Sequence, residues 1–494
     1  MVRYFTISVL LILLFSITES DAQQFDWARS YNISNSNEVA ALTGDENNNA
    51  YIAGVYGASQ SLPYTGDCYL LKANAAGAAL WTRTFTGQVQ IGDLVYSGGA
   101  LWIVGQSNGI FTYDGVSYGL PAYHMFIMKT DTAGSLLWIT TDGTRNGAGA
   151  NLVAGQAGLV AVNLKGVSNI GNYIQLLDED GSILKSKEIV GNSTNITDLA
   201  LHNERVYLNG AFNGSDSLVV DEIVIHAPAI EHAAFVLALD SDFVAEWAAV
   251  DTTINNRDGR IEAGDAGVYA YFSVLEPPFN IVNVVKRYTA EGQMIREAEI
   301  PFFTTAVTLY PDMVLAPGML GIFANNDFGH DNHEVILFDE SLNLVDELSV
   351  AGLSDLYSGQ ICTSSDGFMI AHVHSGDLDF NNEFTLTYTG SGKRPYIGRL
   401  SVSEPTGIAV TLNTEKGIEL YPNPAHSRIF FEIPDSFAAP VRLTISDVSG
   451  RMVQSSDLVA GVNDLNVSNL PTGVYVGSLH TPDHTVVVKK LIIK

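Results

Sequence analysis

Tyr69-Leu-Leu-Lys-Ala-Asn-Ala-Ala-Gly-Ala-Ala-Leu-Trp81 and Phe126-Ile-Met-Lys-Thr-Asp-Thr-Ala-Gly-Ser-Leu-Leu-Trp138 align without a gap. Each reads as an apolar strand, a short polar turn carrying Gly77 or Gly134, and a second strand reaching Trp81 or Trp138. Glycine there suits a turn that needs φ > 0, and the apolar runs around it mark a β-hairpin. The phrase recurs with falling identity. Residues 174–185 keep Asp178 and Gly181, and residues 235–247 keep Asp240 and the Trp, with Phe243 in the glycine position. Residues 284–296 keep Gly292, residues 335–346 keep Asp339 with Leu342 in place of Gly, and residues 396–401 begin a seventh copy. Successive turns lie about 50 residues apart, the spacing of propeller blades.

Ahead of each hairpin lies a further pair of short strands, such as Val39-Ala-Ala-Leu42 with Asn49-Ala-Tyr-Ile-Ala-Gly54, or Asp93-Leu-Val-Tyr96 with Ala100-Leu-Trp-Ile-Val-Gly105. Four strands per unit and seven units predict an all-β chain built on a seven-bladed β-propeller over residues 23–403. The seventh unit lacks its last strand: after Ser401 the chain runs into Pro405-Thr-Gly407. Phe25-Asp-Trp27-Ala-Arg-Ser-Tyr31 resembles the strands that start at Trp81, Trp138 and Trp247. It therefore reads as the missing strand, closing the ring and removing its exposed edges. These repeats, with linkers such as Phe111-Thr-Tyr-Asp-Gly-Val-Ser117, resemble the seven-bladed β-propeller repeats common in secreted Bacteroidota proteins. That resemblance implies a fold and says almost nothing of activity.

The ends of the chain speak of export. Arg3, an apolar run over residues 7–17 and small residues at Ser20 and Ala22 read as a signal peptide of residues 1–22, cleaved between Ala22 and Gln23. The apolar core is too short to span a bilayer, which takes roughly 20 residues, so the mature chain is expected to carry no transmembrane segment. At the other end, residues 404–417 form a Thr/Ser/Glu/Gly linker. Residues 418–494 then carry Tyr421-Pro422-Asn423-Pro424, Val448-Ser-Gly450-Arg-Met452, Leu470-Pro-Thr-Gly473-Val-Tyr475 and a final strand with Lys489 and Lys490. The prolines fix an extended entry, and Gly450 and Gly473 read as turns. Alternating strands between these landmarks predict a small Ig-like β-sandwich. The ordered set closely resembles the type A C-terminal sorting domain of the type IX secretion system. The resemblance implies passage through the inner-membrane export machinery, recognition by the type IX outer-membrane translocon, and a protein secreted or attached to the outer-membrane surface.

With 46% apolar residues the chain has ample material for packed cores, which excludes wholesale disorder. The net charge of −29 is concentrated in the middle: 418–494 holds seven acidic and six basic side chains. A field of that sign excludes nucleic acid and anionic membrane as partners. Two cysteines, Cys68 and Cys362, are too few for a disulfide scaffold. They either lock the ring between neighbouring blades or stay as buried thiols, and their placement in third and first strands, at different radii, favours the thiols.

No Gly-x-Ser-x-Gly elbow, His-Glu-x-x-His pair or phosphate-binding loop occurs, and no cofactor is expected. Asp377-Leu-Asp379-Phe-Asn381 spaces oxygens as calcium loops do but lacks the Gly and the distant Glu of an EF-hand, which makes it a weak calcium candidate. His330-Asp-Asn-His333-Glu334 reads as a polar turn rather than a metal site. His372 and His374 share one face of a strand, either lining the channel or packed inside. Asp131-Thr-Ala133 and Asp216-Ser-Leu218 resemble Bacteroidota O-glycosylation patterns and also fit plain turns. Three functions therefore stand: a binding or adhesion module for a glycan or surface polymer, a polysaccharide-degrading hydrolase or lyase, and a structural surface protein. Scarce Lys and Arg favour the first. Three or more ionisable side chains converging at the channel mouth would argue against pure binding.

Overall fold

A computed structural model describes residues 23–33, 37–56, 66–154, 160–166, 172–189, 194–213, 217–226, 232–251, 259–276, 280–300, 311–325, 332–354, 359–390 and 392–402 of the first unit. In the C-terminal unit it describes 419–421, 425, 427–433, 441–447, 452–459, 461–471, 473–480 and 486–493. The signal segment 1–22 and the linker 404–417 lie outside these residues. All regular structure among them is β.

The N-terminal strand is β1 (Gln24–Ser30). Blade 1 follows with β2 (Asn37–Gly44), β3 (Ala50–Tyr56), β4 (Gly66–Ala73) and the first half of β5 (Ala79–Ser97). Blade 2 takes the second half of β5, β6 (Ala100–Tyr113), β7 (Val116–Asp131) and the start of β8 (Leu136–Ala154). Blade 3 takes the rest of β8 with β9 (Val160–Gly166), β10 (Asn172–Leu177) and β11 (Ile183–Ile189). Blade 4 is β12 (Thr194–His202), β13 (Arg205–Asn213), β16 (His232–Leu239) and β17 (Ala245–Asp251), with the hairpin β14 (Ser217–Val220) and β15 (Ile223–His226) inserted. Blade 5 is β18 (Arg260–Gly264), β19 (Gly267–Glu276), β20 (Asn280–Tyr288) and β21 (Met294–Glu299). Blade 6 is β22 (Asp312–Ala316), β23 (Met319–Asn325), β24 (Asn332–Asp339) and β25 (Leu344–Ser354). Blade 7 is β26 (Gln360–Ser364), β27 (Gly367–Phe380) and β29 (Arg394–Ser401), with β28 (Phe384–Leu386) inserted.

The outer strand of blade 7 is β1. It pairs antiparallel with β29 from Gln24↔Ser401 to Ser30↔Tyr396, and the inner strands β26 and β2 meet across the same seam. Seven inner strands thus form a closed ring around one axis, as expected from the phase of Trp27. A core of Tyr31, Val39, Leu42, Ile52, Tyr69, Met369, Val373 and Ile397 fills that closing seam.

The Trp and Gly of the repeat meet between blades, not within one. A Cβ on Gly77 would lie 2.6 Å from the Trp27 ring, and one on Gly181 would lie 2.6 Å from Trp138. Trp81 sits on Gly134 and Trp247 on Gly292 in the same way, each Trp from the preceding blade. Blades 3, 5 and 6 carry Lys185, Arg296 and Asp346 where the other four carry Trp, and after blades 3 and 5 the next blade's turn has Phe243 and Leu342 instead of Gly, both buried. Their φ values of 62° and 58° show that the turn keeps its left-handed conformation. Large ring and bare backbone on one side, or polar chain and apolar side chain on the other, fill the same gap.

Three blades extend their second and third strands into hairpins that clasp the preceding blade. Residues 112–113 pair with Phe85 and Thr86 of blade 1. Leu218, Val220 and Ile225 pack on Ile174, Leu176 and Ile189 of blade 3. Asp379 and Phe380 pair with Ala351 and Val350 of blade 6.

The C-terminal unit holds β30 (Glu419–Tyr421), β31 (Arg428–Ile433), β32 (Val441–Asp447), β33 (Met452–Leu458), β34 (Gly461–Asn466), β35 (Gly473–His480) and β36 (Val486–Ile493). A three-stranded sheet β30-β31-β34 and a four-stranded sheet β33-β32-β35-β36 form the expected sandwich, around Ile429, Leu443, Ile445, Leu465, Val467, Tyr475 and Leu491.

Candidate functional site

An inner strand has a partner on one edge and the axis on the other, so its axial N–H groups need acceptors. Aspartates supply them at one position repeated around the ring. Asp93 Oδ2 accepts the Leu152 N–H of blade 3 at 2.7 Å, and its Oδ1 accepts its neighbour Leu94 N–H at 2.7 Å. Asp198 Oδ2 accepts the Ile261 N–H of blade 5 at 3.0 Å. Asp312 Oδ2 accepts the Ile361 N–H of blade 7 at 2.8 Å. Blades 2, 4 and 6 are thereby tied to blades 3, 5 and 7. A register shift precedes Asp93 and Asp198, the bulge that turns a strand near a special site. Blades 1, 3, 5 and 7 have Ala41, Asn151, Arg260 and Gln360 at the matching ladder position.

Five ionisable groups converge here: Asp93, Asp198, Glu262, Asp312 and Arg260. Arg260 Nε lies 3.6 Å from Asp312 Oδ1. Burial pushes Asp93 up to about 7 against the pull of its two N–H donors, with Asp198 and Asp312 adding to the rise. Asp198 is pushed up to about 6 by burial, opposed mainly by Arg260. Glu262 is raised well above the ordinary carboxylate range by burial and by Asp198 and Asp312, and Asp312 is raised by burial despite Arg260.

Asp377, Asp379 and Asn381 lie on the inserted hairpin of blade 7. Asp377 Oδ1 accepts the Tyr388 N–H at 2.6 Å, and Asp379 Oδ1 accepts the Asn382 N–H at 2.7 Å. Asn381 and Asn382 hold φ of 52° and 60°, as the tight turn of a twisted hairpin requires. The alternating oxygens follow from the period of a half-exposed strand. Among the described residues no group of three His, Cys, Asp or Glu side chains is placed to share a metal ion.

His333 corrects the polar-turn reading of its segment: it lies in β24, paired with Asn325, is 1% exposed and packs its ring at a 58° tilt against His372, centroids 4.5 Å apart. His330 lies outside the described residues. His372 and His374 sit on a second strand and are both buried, so they are packed and do not line the axis. His374 Nδ1 faces the Gly376 carbonyl at 2.8 Å and Nε2 meets Ser30 Oγ at 2.7 Å. Cys68 and Cys362 are free and buried in different seams. Asp131 makes a plain turn, its Oδ1 accepting the Ala133 and Ser135 N–H groups; Asp216 lies outside the described residues.

At the closing seam a groove of about 530 Å³ opens between residues 29–33 and blade 1. Arg29, Asn32, Thr82 and Thr84 present their polar groups there, all four exposed, while the Tyr31 hydroxyl donates to the Gly77 carbonyl at 2.9 Å. Sequence reasoning missed both groove and aspartate ring. The ring had a signal, apolar-x-Asp-apolar at Ile91-Gly-Asp93-Leu, Ile196-Thr-Asp198-Leu and Tyr310-Pro-Asp312-Met.

In the C-terminal unit Tyr475 is buried and donates its hydroxyl to the Pro471 carbonyl at 2.8 Å. Gly473 is not a turn but the first residue of β35, paired with Ile493. Lys489 and Lys490 lie on β36 opposite Gly477 and Val476. Tyr421 ends β30. Pro422, Asn423, Pro424 and Gly450 lie outside the described residues, as does Ala22; Gln23 is buried. No described helix is long and apolar enough to cross a membrane.

Residues 419–494 match the family described as the secretion system C-terminal sorting domain. The chain therefore carries a type IX sorting domain, engages that secretion machinery and is delivered to the cell surface or the extracellular space. No curated protein matches the chain. Among solved structures it is similar to the polysaccharide lyase Uly1, with 9% identity, TM-score 0.46, and coverage of 76% of this chain and 99% of that one. It is also similar to a subtype N10 neuraminidase-like protein of A/little yellow-shouldered bat/Guatemala, with 10% identity, TM-score 0.33, and coverage of 77% of this chain and 100% of that one.

Proposed function

We propose that the propeller of this exported protein is a binding or adhesion module for a neutral glycan or surface polymer. The observation that carries the reading is the groove at the closing seam. Its size falls in the range of small-ligand sites, roughly 300–1,000 Å³, and its exposed guanidinium, amide and hydroxyl groups match the hydrogen-bonding surface of a sugar. Five ionisable groups do converge on the axis, which counts against pure binding, but three of them, Asp93, Asp198 and Asp312, are committed to main-chain N–H groups of neighbouring blades, which gives those three a structural role.

A second reading, a secreted hydrolase or lyase, is favoured by the same convergence of four carboxyls and Arg260, with Asp93 raised into the range where a carboxyl exchanges protons near neutrality. One experiment separates the two. The full mature chain is applied to immobilised polysaccharides and incubated with the same polymers in solution. Binding without shortening, lost in Arg29→Ala/Asn32→Ala, supports the module. New chain ends, lost in Asp93→Asn, support the enzyme. Neither binding nor cleavage leaves a structural surface protein.

A further inference from the structure

We propose that the axial aspartate ring is a pH-sensitive clamp on the closed propeller, firmest in mildly acidic medium and loosened as the pH rises through neutrality. Three side chains at one repeated position each reach across a seam to the edge N–H of the next inner strand. Geometry thus makes the ring an interface between blades, and the same geometry crowds like charges together. The titratable and charged groups facing one another are Asp93 of β5, Asp198 of β12, Arg260 and Glu262 of β18, Asp312 of β22, and the Cys362 thiol of β26 beside Asp312. One guanidinium stands against four carboxyls. When all four ionise, the axis carries an excess of negative charge on side chains that the strands hold in place, so the like charges cannot move apart.

The direction follows from linkage. Burial pushes Asp93 up to about 7 and Asp198 up to about 6 in the folded chain, above the ordinary aspartate value near 3.9. A raised folded value gives stability that is complete below the unfolded value and is lost as the pH climbs through the folded one. The window is therefore about pH 4 to 7. A protonated carboxyl still has a carbonyl oxygen for the neighbouring N–H, so the clamp survives protonation while the repulsion does not.

The test is thermal unfolding of the full mature chain at pH 5, 6, 7 and 8, beside Asp93→Asn, Asp198→Asn and the exposed control Asp265→Asn. Asn151 already occupies the matching position in blade 3, so an amide fits the ring. The expected result is a melting temperature that falls by roughly 3–6 °C from pH 5 to pH 8 in the native chain. In both ring variants the fall is flattened and the value at pH 8 is higher than native, while Asp265→Asn follows the native curve. Native and ring-variant curves that run parallel overturn the proposal. So does a native curve that rises over this window. Should one ring variant not fold, the other decides.

Discussion

Ring closure by β1 makes a quantitative prediction at Phe25. Its side chain is 4% exposed and packs edge-on against Phe380, ring centroids 5.1 Å apart, although 355 residues separate the two in sequence. Truncating a buried Phe to Ala costs about 3–5 kcal/mol, a large part of the roughly 5–15 kcal/mol that holds a domain together. The propeller unit has about 380 residues. At about 2.1 cal/mol/K of unfolding entropy per residue, Phe25→Ala should lower its melting temperature by about 4–6 °C. Gln24→Ala, at an exposed position of the same strand, should change it little. A double-mutant cycle with Phe380→Ala asks whether the two rings meet. An edge-to-face pair is worth about 0.5–1.5 kcal/mol beyond its buried area, so the double variant should lose less than the two singles together by that amount. The assay is calorimetry with parallel urea titration. Additive effects, or a melting temperature unmoved by Phe25→Ala, would refute closure by β1.

Gly181→Ala forces a side chain into the Trp138 ring at φ 78° and should cost about 1–3 kcal/mol by urea titration. The double change Trp138→Lys/Gly181→Phe, copying the pairing at the next seam, should recover part of the loss. Asp45 is pushed up by burial, but hydrogen bonds from Asn49, Tyr51 and Asn47 outweigh this and hold it below the usual carboxylate range. Its contribution is therefore present above about pH 4 and lost as the pH falls further; Asp45→Asn should flatten the acid limb of a pH–stability curve. Burial pushes the Cys68 thiol up to about 12 and raises Cys362 as well, so both should resist a thiol reagent at pH 8 and react only after unfolding. Deleting 419–494 should strand the protein inside the cell, read by fractionation of cells and medium.

The hairpin phrase made most of the propeller readable because its two signals, apolar alternation and a left-handed turn, are local. Trp27 showed the closure for the same reason: its strand copies a pattern present elsewhere. What the residues hid was relational. That Trp138 and Gly181 face each other across a seam depends on the packing of one repeat on the next, and reading the repeat as a single unit places them apart. Asp93 and Asp198 hid behind bulges, since the extra residue at Gly92 or Thr197 breaks the alternation that would flag an inward carboxylate, and Asp312 opens its strand, where there is no alternation before it to read. His333 was misread because two nearby histidines and carboxylates look like a polar turn until a strand buries one of them. Gly473 was misread because a Pro-Thr-Gly run signals a turn in isolation, and here a ladder partner, Ile493, overrides it.

The pairing of β1 with β29 sets a timetable. During synthesis the first residues of the propeller wait for the last ones, across more than 350 residues of chain, and no shorter piece contains a complete ring. Such a fold has high contact order and matures slowly. The same pairing makes the junction between Ser401 and Gln24 nearly redundant in space. A chain re-cut to begin at residue 37, with its old ends joined, would fold the last blade from contiguous sequence and should close faster. The natural arrangement thus holds the propeller open until its final blade is made.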